Sequence, residues 1–195
     1  MREWIPISTS PKGRLALAAV REFGSRPFDE VTVGQLATTA DVTTGAIYHH
    51  FGSKLGLYTF VRADVERRLI DRMEGAVLAG GGHRGGASAD TASADTASVS
   101  AASVSAAVST ALLVGFDFAV SQGFLHLVGP PPAETEHDHL AEMLAVATSP
   151  ASPVLGPILA AGWRAAVAAV AQGAEPGVAR FALSLLDFRV PADRA

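Results

Sequence analysis

The chain contains no cysteine, which excludes disulfide frameworks, zinc ribbons, iron–sulfur ligation and thiol catalysis. Charge is scarce: Asp, Glu, Lys and Arg make up 17% of 195 residues, with 15 basic residues against 19 acidic. A nucleic-acid binder is often announced by a strongly basic composition, and a net charge of −4 announces nothing of the kind. There is no phosphate loop, no G-x-S-x-G, no ordered triad and no paired metal motif. The expectation is therefore no catalytic residue, no cofactor and no metal. The opening residues MREWIPISTSPKGR hold no apolar stretch of the kind a signal peptide needs. Two uncharged windows approach spanning length, and a spanning helix needs about 20 predominantly apolar residues. Thr96–Phe116 is broken by serines and Thr110, and Met143–Trp163 by Pro150, Pro153 and Pro157. The expectation is a cytoplasmic protein with no membrane partner.

What the sequence has in quantity is alanine, which suits closely packed helices. Leu15, Ala19 and Phe23 recur at four-residue spacing after Pro11, the pattern of an amphipathic helix stopped by Gly24. Thr32 and Thr43 stand as N-caps before two short apolar segments, and Gly52 and Ser53 separate these from a longer helix. Leu57, Val61, Val65 and Leu69 give that helix a core face as far as Gly75–Gly80. A glycine run, GGGHRGG, follows at residues 80–86. Ala87–Ala106 is then a four-fold pentapeptide repeat, ASADT twice and ASVSA twice. A five-residue period advances about 140° per repeat on a helix, so it keeps no apolar stripe and reads as a solvated low-complexity insertion. Helices are expected again from Val104 or Val108 to Gly123, over Glu134–Ala147, and at about 154–172 and 176–188. No segment reads as a strand. The expected fold is all-α.

The informative stretch is Thr32–Lys54, TVGQLATTADVTTGAIYHHFGSK. It reads as two short helices joined by a tight turn, the plan in which the second helix enters the DNA major groove. Asp41 tolerates the left-handed backbone that the turn needs. Thr43, Thr44 and Gly45 open the second helix, where free N–H groups and the helix dipole favour a phosphate. Gly45 costs helix propensity, and close approach to another surface is a reason to keep it. Tyr48, His49 and His50 offer rings and donors to phosphates or base edges. Lys54 is placed to meet a backbone phosphate. In residues 1–58, six basic residues face five acidic ones, so the net negative charge sits in the remainder.

At these residues the sequence resembles the TetR family of bacterial transcriptional regulators. The resemblance runs through Thr32, Leu36-Ala37, Ala40-Asp41-Val42, the run Thr43-Thr44-Gly45-Ala46-Ile47-Tyr48-His49-His50-Phe51, and Gly52-Ser53-Lys54. It covers about the first third of the chain. Two positions depart from the pattern. Asp41 stands where the family usually has Gly, and helix four opens Lys54-Leu55-Gly56-Leu57 without acidic residues, so that Gly56 is expected to loosen its start. The resemblance implies a helix-turn-helix DNA-binding domain over residues 1–56. It implies a larger helical ligand-binding and dimerisation domain over 57–195, with the low-complexity insertion at 80–106. By the same resemblance Thr44, Gly45, Tyr48 and His49 contact DNA, and Thr32, Thr43 and Lys54 anchor phosphates. Leu36, Ile47 and Phe51 fall in the core.

The implied partners are a double-stranded operator, a second copy of the chain and a small-molecule ligand. The last two helices carry large apolar residues and few charges, which points to an interface between copies. A two-fold dimer sets its reading helices roughly 34–36 Å apart on a pseudo-palindrome. For the ligand, Phe116, Asp117, Phe118, Phe124, His126 and Trp163 are the candidates, with Asp117 also fitting a wet face beside Thr110 and Ser121. The run Glu134, Glu136, His137, Asp138, His139 and Glu142 reads as the solvated acidic start of a helix, because histidines two apart do not share a helix face. The leading expectation is thus a dimeric, ligand-responsive regulator, a repressor. The alternatives are a non-specific DNA-associated helical protein without a ligand, and an enzyme.

Overall fold

The computed structural model describes residues 9–81, 95–133, 136–149 and 154–186. Among the described residues it is all-α, with a small N-terminal helical unit joined to a larger helical bundle. α1 (Pro11–Ser25) starts with proline at its first position, and Ser10 Oγ accepts from the Gly13 N–H at 3.0 Å. It buries the expected Leu15, Ala19 and Phe23. A single 3-10 turn (Phe28–Glu30) leads to α2 (Val33–Thr39), α3 (Thr44–Phe51) and α4 (Lys54–Gly81).

α4 is the spine. Its 28 residues span roughly 42 Å at 1.5 Å per residue. Leu57, Val61, Val65 and Leu69 are fully buried along one face, as their spacing predicts, and Met73 extends the row. α5 (Asp95–Gln122) packs antiparallel to it. The two approach closely through small residues. A Cβ at Gly80 would lie 2.8 Å from the Ala107 Cβ, and one at Gly115 would lie 2.6 Å from the Met73 sulfur. α6 (Leu125–Val128), α7 (His139–Ala147), α8 (Leu155–Ala171) and α9 (Pro176–Ser184) complete the bundle.

Trp163 of α8 is the largest fully buried side chain, and its Nε1–H donates to the Leu112 carbonyl of α5 at 3.0 Å. A buried indole N–H needs such a partner. α7 and α8 are joined by a two-pronged ion pair: the Arg164 guanidinium donates to both oxygens of Asp138, at 2.7 and 2.8 Å. Asp138 also caps α7, accepting from the Ala141 N–H at 3.0 Å. Burial pushes the Asp138 carboxyl up, but Arg164 and the cap bonds outweigh it and hold it below its ordinary value.

Several boundaries differ from the sequence expectation. α5 begins at Asp95, so the helix takes in the second half of the repeat, and Val104 packs against the core. Alanine's helix propensity suits that stretch without an apolar stripe. Residues 82–94, with the first half of the repeat, lie outside the described residues. α7 starts at His139 rather than Glu134, because Asp138 takes the cap, and His137 precedes the helix. The last helix stops at Ser184, while residues 187 and 188 fall outside the described part. Within α5, Ala102–Gln122 is long and apolar enough to cross a membrane by length and composition, which the serine-broken sequence did not suggest. Here it packs on α4 with Val108, Ala111, Leu112, Phe116 and Ala119 buried.

Candidate nucleic-acid interface

The geometry of α2 and α3 follows from local chemistry. Thr32 Oγ1 accepts from the Gln35 N–H at 3.2 Å, and the Gln35 side chain accepts from the Thr32 N–H at 3.0 Å. This reciprocal capping box fixes where α2 begins. The sequence reading found the threonine and missed Gln35, whose three-residue offset is the signal. At the turn, Asp41 has φ 52, the left-handed conformation expected of it. The Val42 N–H donates to the Ala37 carbonyl at 3.0 Å and closes the angle. Leu36, Ala37 and Ile47 are buried between the helices.

α1 clamps this turn. Arg14 Nε donates to the Ala40 carbonyl at 2.9 Å, and its terminal nitrogens donate to Asp41 and Thr9 carbonyls, each at 3.1 Å. Arg14 is therefore a brace on the α2–α3 angle. Lys54 is bound up in the same way. Its Nζ donates to the Phe28 and Val31 carbonyls at 2.9 Å each and sits 3.9 Å from the Phe28 ring centroid. Two of its three N–H donors are thus committed inside the protein. The Lys12 ammonium lies over Phe51 and Phe60, 5.7 and 5.3 Å from their centroids.

α3 turns Ile47 inward and leaves Thr44, Gly45, Tyr48 and His49 exposed as one patch, with Tyr48 at 56%. Thr43 occupies the N-cap position, yet its hydroxyl makes no capping bond and is exposed. A Cβ added at Gly45 meets nothing nearer than the Thr43 hydroxyl at 3.8 Å, so no packing inside the chain demands glycine there. Thr32 is exposed at the start of α2. His50 is half-buried, edge-on to His49 and Phe51. Gly52, with φ 73, ends α3, and Ser53 Oγ caps α4 by accepting from the Gly56 N–H at 2.9 Å. Gly56 does not loosen this start. A Cβ there would lie 2.1 Å from the Phe51 carbonyl oxygen, so glycine is what lets α3 and α4 meet.

A second feature lies in the larger bundle, where a cavity of about 900 Å³ opens between α4 and α7. Ile70, Val77, Met143 and Val146 give it an apolar wall, and Arg62 and Glu66 are among the charged residues at its rim. Arg62 also donates to the Pro130 carbonyl at 2.8 Å, tying α4 to the segment before α7. The structure brings none of Phe116, Asp117, Phe124, His126 and Trp163 to this cavity. Phe116 and Trp163 are core, and Phe124 is buried edge-on against Phe118 and lines only a small hollow. His126 is half-buried. Asp117 is exposed and pairs with Arg180 of α9 at 2.8 and 3.1 Å, on the wet side of α5. That pair raises the Arg180 pKa through its hydrogen bonds and its charge. The sequence missed the cavity because its lining comes from two helices some 70 residues apart.

Comparisons with known proteins bear on this geometry. None of the curated proteins matches the chain. Among solved structures, the TetR family repressor AlkX from Dietzia sp. strain DQ12-45-1b, implicated in biodegradation of n-alkanes, shares 16% identity. That alignment covers 93% of this chain and 81% of the other, with a TM-score of 0.41. A TetR-family regulator from Streptomyces coelicolor A3 shares 16% identity over 93% of this chain and 95% of the other, with a TM-score of 0.43. Residues 16–59 match the family model of the bacterial regulatory proteins, tetR family, a span that holds α2, the Asp41 turn and α3. By that match, set on a clamped turn and an exposed second helix, residues 16–59 are similar to the DNA-binding region of the bacterial regulatory proteins of the tetR family.

Proposed function

We propose that the chain is a ligand-responsive repressor that binds a pseudo-palindromic operator as a homodimer in the cytoplasm, and is not an enzyme. The observation that carries this reading is the exposed Thr44, Gly45, Tyr48 and His49 patch on a helix held rigid from behind by Arg14, Ile47 and Gly56. Specific readout needs such a surface fixed in place, since a loose helix would lose its ordering entropy on every contact. Thr32 and Thr43 supply hydroxyls to phosphates at the two helix starts. Lys54 acts mainly by holding α4 to the Phe28–Val31 segment, with its third donor turned to a phosphate.

Residues 1–56 form the reading unit and 57–195 the sensing and dimerising one. α9 buries Ala179 and Leu183 on one face and leaves Val178 and Phe181 about two-thirds exposed on the other, with Leu185, just past its end, equally exposed. Ile158 of α8 is 61% exposed as well. An apolar face of this kind marks an interface between copies, through the last two helices. The ligand site is the cavity between α4 and α7. α4 starts two residues beyond Gly52 and lines the cavity from Thr59 onward, so one helix borders both sites. A ligand that favours one tilt of α4 changes the spacing of the reading helices, provided it binds the two states unequally. The test is footprinting on the DNA upstream of the chain's own gene, with the Thr44→Ala/Tyr48→Ala variant alongside. A footprint that vanishes in the variant while helicity is kept supports the reading. Unchanged protection, or equal affinity for random duplex, overturns it.

A further inference from the structure

His137 lies just before α7, His139 is its first residue and Glu142 stands one turn further on. The objection that residues two apart cannot share a helix face does not apply, because His137 is not on the helix. The donor atoms of all three lie within 4.8 Å of one another. His137 Nε2 is 2.7 Å from Glu142 Oε2, and His139 Nδ1 is 4.0 Å from the same oxygen. Donors held at about 2.0–2.2 Å by one ion sit roughly 3–3.4 Å apart, so small rotamer adjustments gather the set. The side chains are about 60% exposed and free to make them. The backbone between the histidines is already fixed, since Asp138 is locked by its cap bond and by Arg164. All three residues line the wall of the cavity between α4 and α7.

We propose that His137, His139 and Glu142 bind a divalent transition-metal ion on the cavity wall, with the remaining coordination positions open toward the cavity. Two imidazoles and one carboxylate suit zinc, nickel, cobalt or copper, and are too rich in nitrogen for magnesium or calcium. Three protein donors leave room for water or for a chelating small molecule, unlike a closed four-ligand structural site. Glu66, Glu74 and Glu136 outnumber Arg62 and Arg67 elsewhere in the lining, so the surroundings favour a cation. The His137–Glu142 hydrogen bond holds the pair together before the ion arrives, and the ion replaces its proton. The inference stands whether or not α3 reads DNA.

The experiment uses the untagged full chain, stripped with a chelator and dialysed. Cobalt(II) is added and followed by its visible absorption, and zinc(II) is titrated by calorimetry. One ion per chain is expected, with zinc displacing cobalt and its visible bands. His137→Ala, His139→Ala and Glu142→Gln each weaken binding at least tenfold while thermal unfolding without metal is unchanged. The His49→Ala/His50→Ala variant, which removes the neighbouring histidine pair of α3, keeps full affinity. Absence of saturable uptake overturns the proposal. So does uptake that survives the His137→Ala/His139→Ala variant or is lost with His49 and His50.

Discussion

Gly45→Ala separates folding from DNA binding at a single atom. Gly45 is exposed, and a methyl group there meets nothing nearer than 3.8 Å within the chain. Alanine removes glycine's entropic cost, ~0.5–1 kcal/mol in a helix interior. Gly45 lies in the first turn of α3, so the gain sits near the lower figure. For a domain of this size about 1 kcal/mol moves Tm by roughly 2–4 °C, so the variant should melt some 1–2 °C higher. On the proposed function, the same methyl would stand where the α3 backbone meets phosphate and base edges. Hydrogen bonds fail beyond about 3.2 Å, so a helix pushed out by a methyl loses several together. An operator affinity at least tenfold weaker is expected, about 1.4 kcal/mol. Circular dichroism melting gives the first quantity, and fluorescence anisotropy with the footprinted duplex gives the second. A Tm lowered by more than 3 °C would show that the glycine serves the fold. Affinity within twofold of the parent would remove the argument that α3 approaches DNA closely.

The Asp138–Arg164 pair should carry stability at neutral pH. With a chelator present, Asp138→Ala leaves a guanidinium of 9% side-chain exposure unpaired and removes a cap, for a loss of about 3 kcal/mol in urea unfolding. Asp138→Asn keeps the cap and should cost about half as much. Because the folded carboxyl lies below its ordinary value, this contribution is complete above the unfolded-state value and is lost as pH falls through the folded one. The gap between parent and variant should therefore close toward pH 3, and a gap that widens there would contradict the pairing. Lys54→Met removes two charge-assisted bonds and should lower stability by about 1.5–3 kcal/mol. It should also reduce the salt slope of DNA binding by no more than about 0.9 per chain, the share of one phosphate, and a larger change would make Lys54 chiefly a DNA contact. Phe181→Ser/Leu185→Ser should shift sedimentation toward the monomer with helicity kept, and an unchanged dimer would place the interface elsewhere.

The reading unit was legible because its signals are local. Thr32 at the cap, Asp41 at the turn, Ile47 inside and Gly52 at the stop each act over four residues or fewer, and the structure uses them as their chemistry suggests. The cations of the same unit were not legible. Lys54 looks like a phosphate ligand in a sequence, and only the fold shows carbonyls 23 and 26 residues away taking its donors. Gly56 misled for a similar reason: its cost to helix propensity is intrinsic, while its use, contact with the Phe51 carbonyl, depends on the angle between α3 and α4.

The same distinction separates the expected ligand residues from the observed cavity. Aromatic and charged residues inside apolar runs, such as Phe116, Asp117 and Trp163, stand out in a sequence because they interrupt a pattern. In the folded bundle Trp163 is satisfied by Leu112 and Asp117 pairs with Arg180, and neither lines the cavity. The cavity arises instead between α4 and α7, and α7 is tied to α8 behind it by Arg164 reaching back 26 residues to Asp138. Since that contact also fixes the backbone between His137 and His139, cutting it with Arg164→Leu should disturb the cavity and its histidines together. Thermal-shift responses to zinc should then weaken in a variant that removes none of the three donor residues, whereas an undiminished response would mean that the donors gather without the Arg164 lock.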